Sequence, residues 1–134
     1  MIAATELRLV LVTPETTLLD RQVRSIQFPL FDGQIGILPG RTPMVGRLGL
    51  GELKFSSSEG DGSYFIDGGF AQIKGGVVSI LTNKAIKADD VERSKAEAEL
   101  AAANALKPST DAGFAEKQHA IDRARKLIEL SRRK

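Results

Sequence analysis

Three features of this chain have the residue types and spacing to do chemistry: a glycine-proline run, a lone histidine and several close carboxylate pairs. The run is "DGQIGILPGRTPMVG", Asp32 to Gly46, with four glycines and two prolines in fifteen residues. A phosphate cradle needs successive free backbone N–H groups and a Lys-Ser/Thr pair opening a helix. Here Pro39 and Pro43 stand where donors are wanted, no Gly-Lys pair follows, and no helical pattern opens. "GLGELK" (49–54) offers two of the three glycines of a dinucleotide fingerprint, in a strand-like context. His119 lies between Gln118 and Ala120 in a helical stretch with no metal-binding partner four residues on, so it reads as a solvated helix histidine. Asp89-Asp90 and Glu97 with Glu99 occupy capping or exposed helix positions, and Ser56–Ser58 mark a polar hairpin tip. No catalytic residues and no metal site are expected.

Composition narrows the class further. A single chain of 134 residues reads as one domain or a domain with an appendage, and can bury about two thirds of its unfolded surface. Cysteine is absent, which removes disulfides, thiolate nucleophiles and Cys-based metal sites. No run of about 18 apolar residues exists, and the N-terminus lacks a signal pattern, so direct membrane insertion is not expected. Net charge is +2, too little to argue for nucleic acid, but its distribution is uneven. Residues 1–83 carry seven basic and eight acidic side chains, whereas 84–134 carry twelve and nine. The basic excess gathers at the C-terminal end.

The elements that would position these residues fall into two parts, 1–86 and 87–134. "ELRLVLV" (6–12) and "QVRSIQFP" (22–29) alternate apolar and polar, the two-residue period of a half-buried strand. "GELKFSS", "GSYFIDG", "FAQIKG" and "VVSILTN" follow, each bounded by turn residues. Many short strands at such intervals indicate an antiparallel β-sandwich, and the absence of a crossover helix before residue 87 excludes βαβ folds. Tyr64 and most of the phenylalanines sit at strand positions that look like core.

From Asp89 to Leu106 the period becomes helical, with Asp89 and Asp90 at the start and Val91, Ala98, Ala101, Ala102 and Ala105 on one face. Pro108 breaks the helix, and Ser109, Thr110 or Asp111 can cap the next. Phe114, Ile121, Ala124, Ile128 and Ser131 mark its face. A linker so short predicts an antiparallel αα-hairpin, and the fold class is α+β. An alanine seam buries little area, at roughly 25 cal/mol per Å², so the pair could detach; alanine also serves simply as a good helix former. The fold therefore predicts a binding or regulatory protein.

The glycine-proline run, Gly33 to Pro43, and the Gly-Gly-Phe strand with its successor, "GGFAQIKGGVVSILTNKA" (68–85), carry a resemblance. In their order and spacing the chain resembles, over nearly its whole length, the epsilon subunit of F-type ATP synthases. The resemblance implies a non-catalytic central-stalk subunit that joins gamma to the c-ring and couples ion flow to ATP synthesis. It implies that the corner built by Gln34, Gly36, Pro39, Gly40, Arg41 and Pro43 rests on the c-ring and gamma. Gln34 and Arg41 replace the acidic residue and histidine that many members carry there. The C-terminal hairpin is implied to inhibit ATP hydrolysis, with Arg123, Arg125, Lys126, Arg132 and Arg133 facing the beta subunit in the alpha/beta head. Lys and Arg at a helix C-terminus also simply complement its dipole.

Some members bind ATP at the hairpin. At the matching positions this chain reads Val91, Glu92, Lys95 and Ala96, with Arg123 on the second helix and Ile86 where binders offer a carboxylate. Glu is longer than Asp and Lys lacks the planar fork of Arg, so ATP binding is expected to be weak or absent, with no other cofactor. The implied location is the cytoplasmic face of a bacterial plasma membrane, held there by partners. A small-molecule or nucleotide-sensing β-sandwich with a helical tail is the rival reading, and nucleic-acid binding lacks the aromatic platforms it would need.

Overall fold

A computed structural model describes residues 6–40 and 43–132. The chain divides into two compact units, Met1–Ile86 and Lys87–Lys134. Among the described residues ten strands come first, the last of them ending one residue into the second unit: β1 (Leu7–Val12), β2 (Thr17–Val23), β3 (Ser25–Leu30), β4 (Gly33–Ile37), β5 (Met44–Arg47), β6 (Leu50–Ser56), β7 (Gly62–Asp67), β8 (Phe70–Lys74), β9 (Val77–Leu81) and β10 (Ala85–Lys87). They form two five-stranded sheets, ordered β2-β1-β9-β8-β5 and β10-β7-β6-β3-β4. Alternate residues face inward, so Leu9, Leu11, Val78, Ile80 and Ile73 from one sheet meet Ile26, Phe28, Ile37, Leu53 and Ile66 from the other.

Two expectations need correction. The run 22–29 is not one strand: Val23 closes β2 in the first sheet, Arg24 donates its N–H to the Ser56 carbonyl at 2.7 Å, and Ser25 opens β3 in the second. The alternation slips by one residue at the switch, because buried Val23 and buried Ile26 are three residues apart and point into the same core from opposite sheets. The sandwich is also not wholly antiparallel. β1 pairs in parallel with β9, Arg8 opposite Val77 through Val12 opposite Leu81, because the rest of the sandwich forms the long connection a parallel pair requires.

The glycines of the opening run divide in role. Gly33 (φ 143°) closes the two-residue turn between β3 and β4, and Gly40 (φ 88°) shapes the corner toward β5. Gly36 instead lies within β4, opposite Gln27. The Gly-Gly-Phe motif has a steric cause. At Gly69 (φ 113°) a Cβ would lie 1.9 Å from the Leu81 carbonyl oxygen, so any side chain would collide with backbone. Buried Thr82 secures the same crossing by donating its hydroxyl to the Gly68 carbonyl at 2.7 Å.

The second unit begins with a 3-10 turn over Ala88–Asp90, followed by α1 (Arg93–Asn104) and α2 (Asp111–Arg132). Asp89 and Asp90 therefore precede α1 rather than cap it; Glu92 is the N-cap residue and makes no side-chain cap bond. At α2 the Thr110 hydroxyl accepts the Gly113 N–H at 3.0 Å, a side-chain N-cap. The helices are antiparallel: Arg123 meets Glu99, and Lys117 meets the carbonyls of Asn104 and Leu106.

The expected alanine face is rotated. Ala96 and Ala103 are buried, while Ala98, Ala101, Ala102 and Ala105 are exposed. On α2 the buried face is Ile121, Ala124, Leu127, Ile128 and Leu130, and Phe114 is 58% exposed. Phe114 precedes Lys117, the residue that faces the end of α1, so no turn of α1 stands opposite it.

Candidate functional site

The first sheet has one apolar side more than a core requires. On β8, Ala71 and Ile73 take the interior phase, and on β9 Val78 and Ile80 do. Phe70 and Leu81 are thereby turned outward, directly opposite one another in the ladder, 60% and 51% exposed. Val12 continues the row beyond Leu81, and Arg47 continues it beyond Phe70. With Pro14, Gly69, Thr82 and Asn83 these residues line a shallow groove of about 650 Å³.

Arg47 links this row to the glycine-proline region. Its guanidinium lies 5.0 Å from the centre of the Phe31 ring, within cation–π range, and Phe31 itself is 72% exposed in the β3–β4 turn. Val45, two residues earlier on the same face of β5, is also 72% exposed, and Leu38 projects from the corner at 66%. Phe31, Arg47, Phe70 and Leu81 thus form one continuous band, with Val45 beside it. Scattered exposed apolar residues need no explanation, but a contiguous band marks an interaction surface.

Sequence reasoning missed this band by assigning most of the phenylalanines to the core. Phe28, Phe55 and Phe65 are buried; Phe31, Phe70 and Phe114 are not. A signal was present: Phe70 shares its phase with Gln72 and Lys74, the polar face of the strand.

The residues expected at the corner are partly gathered. Gln34 donates its side-chain amide to the Glu52 carbonyl at 3.2 Å, which pins it along the second sheet. Gly36, Gly40 and Pro43 are exposed and Pro39 is half-buried. Arg41 lies outside the described residues.

The basic end is not an open patch. Arg123 donates to Glu99 at 3.0 Å with its side chain only 17% exposed, and Lys126 pairs with Glu129 at 3.4 Å. Arg125 and Arg132 face solvent, and Arg133 lies outside the described residues. Of the residues aligned with an ATP site, Val91 and Ala96 are buried, and Glu92 and Lys95 pair with each other at 3.5 Å. Among the described residues no group of three or more His, Asp or Glu is placed to hold a metal. No helix among them is long and apolar enough to cross a membrane.

Comparison with known proteins fits this geometry. Residues 6–88 match the family model described as ATP synthase, Delta/Epsilon chain, beta-sandwich domain. The chain is 43% identical over 126 residues to the ATP synthase epsilon chain of Rhodopirellula baltica, covering 94% of this chain and 98% of that one. It is 33% identical to the sodium ion specific ATP synthase epsilon chain of Propionigenium modestum, covering 92% of each. Among solved structures it is similar to a chain of the Euglena gracilis mitochondrial ATP synthase, with a TM-score of 0.85, 25% identity, and coverage of 96% of this chain and 83% of that one. A chain of the Tetrahymena thermophila mitochondrial ATP synthase shares the fold, at a TM-score of 0.76 and 15% identity, over 97% and 99% of the two chains. A family model that covers the sandwich residues and relatives matched over nearly their full length lead to one conclusion: the chain belongs to the ATP synthase delta/epsilon family, as a non-catalytic epsilon-type subunit of that rotary enzyme.

Proposed function

We propose that the sandwich unit joins the gamma subunit to the c-ring in the central stalk, and that the helical unit restrains ATP hydrolysis by the catalytic head. The observation that carries the first part is the band Phe31–Arg47–Phe70–Leu81, apolar surface that a free-standing protein has no use for. The corner beside it, with Gln34, Gly36, Pro39, Gly40, Arg41 and Pro43, is the face we assign to the ring. The solved relative from Euglena gracilis comes from a complex whose description includes F1 and the c-ring, which supports this assignment. A rigid sandwich suits torque transfer because its core is closed on itself and its partners are engaged by surface residues.

The restraint follows from a helix pair with a thin seam. Elements whose two arrangements differ by a few kcal/mol can be switched by modest differential contacts. Among the described residues, Arg125 and Arg132 face solvent and can meet acidic segments of the beta subunit in the engaged state, whereas Arg123 and Lys126 must first leave Glu99 and Glu129. ATP binding at the helices is weak or absent on this reading, since Glu92, Lys95 and Arg123 are bonded to neighbours. The chain then works on the cytoplasmic face of a bacterial plasma membrane, held there through its partners.

The deciding experiment adds the full chain, or residues 1–86, to a cognate complex depleted of this subunit and measures ATP hydrolysis. The core of the sandwich is made entirely from residues of that first unit, so the shorter chain keeps it. Inhibition by the full chain with binding but no inhibition by the shorter one is the expected result. Failure of both to bind removes the stalk assignment; binding by both with equal hydrolysis removes the restraint.

A further inference from the structure

The two helices of the second unit differ in how they are stabilised. α2 has 22 residues, a side-chain cap at Thr110, Asp111 in its first turn, Arg132 in its last, and five buried apolar positions. The cap and the two end charges favour a helix on their own account. α1 has 12 residues, and its N-cap residue makes no side-chain bond. Glu92 places a carboxylate at its N-terminus, but no basic residue lies in its last turn, so the C-terminal end of its dipole is uncompensated from within. Among the described residues it buries only Ala96 and Ala103, with Leu100 half-buried. A helix of this length is marginal in water even with favourable composition.

What α1 lacks, α2 lends. The Lys117 ammonium donates to the carbonyls of Asn104 at 3.2 Å and Leu106 at 2.9 Å, which satisfies the end of α1 and places there the cation that α1 does not carry. One and a half turns further along α2, Arg123 holds Glu99 from a largely buried position.

We infer that α1 is a conditionally folded segment, and that Lys117 and Arg123 form a polar latch that decides whether it is helical and closed against α2. Bonds from charged donors are the strong ones, and these two reach α1 at Glu99 and at its C-terminal end. The latch predicts a specific order of events. α1 opens first and alone, α2 stays helical, and ionic strength promotes the opening because both contacts are electrostatic. This property belongs to the chain itself and does not depend on the stalk assignment.

The test is residue-resolved amide hydrogen exchange on the full chain. In the double variant Lys117→Met/Glu99→Gln, exchange at Leu100 to Ala105 should rise about tenfold. The amides of Ile121 to Leu130 and of Val78 and Ile80 should keep their wild-type rates. Raising salt on the wild-type chain from about 50 mM to about 500 mM should reproduce part of the effect on α1 alone. Lys117→Arg should retain protection. Unchanged exchange in α1 in both the variant and high salt overturns the latch. So does equal loss of protection in α1 and α2, which would make the hairpin one cooperative unit.

Discussion

Replacing Phe70 with threonine separates an interface residue from a core residue. Threonine keeps the strand preference of the site while removing the ring. The side chain is 60% exposed, so its own fold gains little from it. Full burial of a phenylalanine is worth about 1.5–3 kcal/mol, and covering the exposed fraction therefore contributes roughly 1–2 kcal/mol to association. That corresponds to about a 5- to 30-fold rise in Kd for Phe70→Thr. Leu81→Thr, at 51% exposure, should act similarly. The two residues stand directly opposite one another in the ladder, so the double variant need not be additive. Affinity would be measured by titrating each variant onto an immobilised gamma–c-ring complex, beside urea unfolding of the free chain. Unfolding should shift by less than about 0.5 kcal/mol, as for surface substitutions generally. Unchanged affinity in both variants would refute the band as an interface. A loss of stability well beyond that bound would show that Phe70 serves the fold after all.

Gly69→Ala should destabilise the sandwich by roughly 3 kcal/mol or more, read by thermal or urea unfolding, because the new methyl meets the Leu81 carbonyl and the backbone sits at φ 113°; near-neutral behaviour would mean the crossing can relax. The Arg8 guanidinium, bonded to Asp20 at 2.9 and 2.7 Å, holds that carboxyl below its ordinary value of 3.8. The contribution of the pair is therefore present above the ordinary pKa and lost as pH falls through the lowered one. NMR titration of Asp20 should show the depressed midpoint, and Arg8→Gln should restore the ordinary one; a midpoint at or above 3.8 in the wild type contradicts the pairing. Calorimetric titration with ATP should give little or no heat at micromolar concentrations, and micromolar affinity would show that Glu92, Lys95 and Arg123 can leave their present partners.

Much of this architecture was legible because the period of apolar residues changes from two to nearly four close to residue 87, and turn residues punctuate every strand. What escaped has identifiable causes. The change of sheet at Arg24 leaves only a one-residue slip in the alternation, from Val23 to Ile26, which a bulge within a single strand would also produce. Alternation also cannot reveal the pairing of β1 with β9, which joins residues far apart in the chain. The buried face of α1 was misplaced because alanines occupy five of its twelve positions and are spread around it, so no face stands out. The candidate surface escaped for the opposite reason. A phenylalanine at a strand position reads as core by residue type alone, yet Phe70 shares its phase with Gln72 and Lys74 while Ala71 and Ile73 face inward.

The parallel pairing also sets a timetable for biosynthesis. β1 lies in the interior of its sheet, between β2 and β9, yet β9 is made some 65 residues after it. At about 5–20 residues per second, the N-terminal β1–β2 hairpin waits on the order of several seconds with one edge unpaired. An open apolar edge is a template for pairing with other chains. Closure of the sheet is therefore a late event that draws the first strand and the last long strand together, with the entropy of a long loop to overcome. The helical pair is synthesised afterwards, when every core residue of the sandwich has already been made. Nascent chains released before residue 81 should be held by chaperones or aggregate, whereas those released after residue 86 should fold.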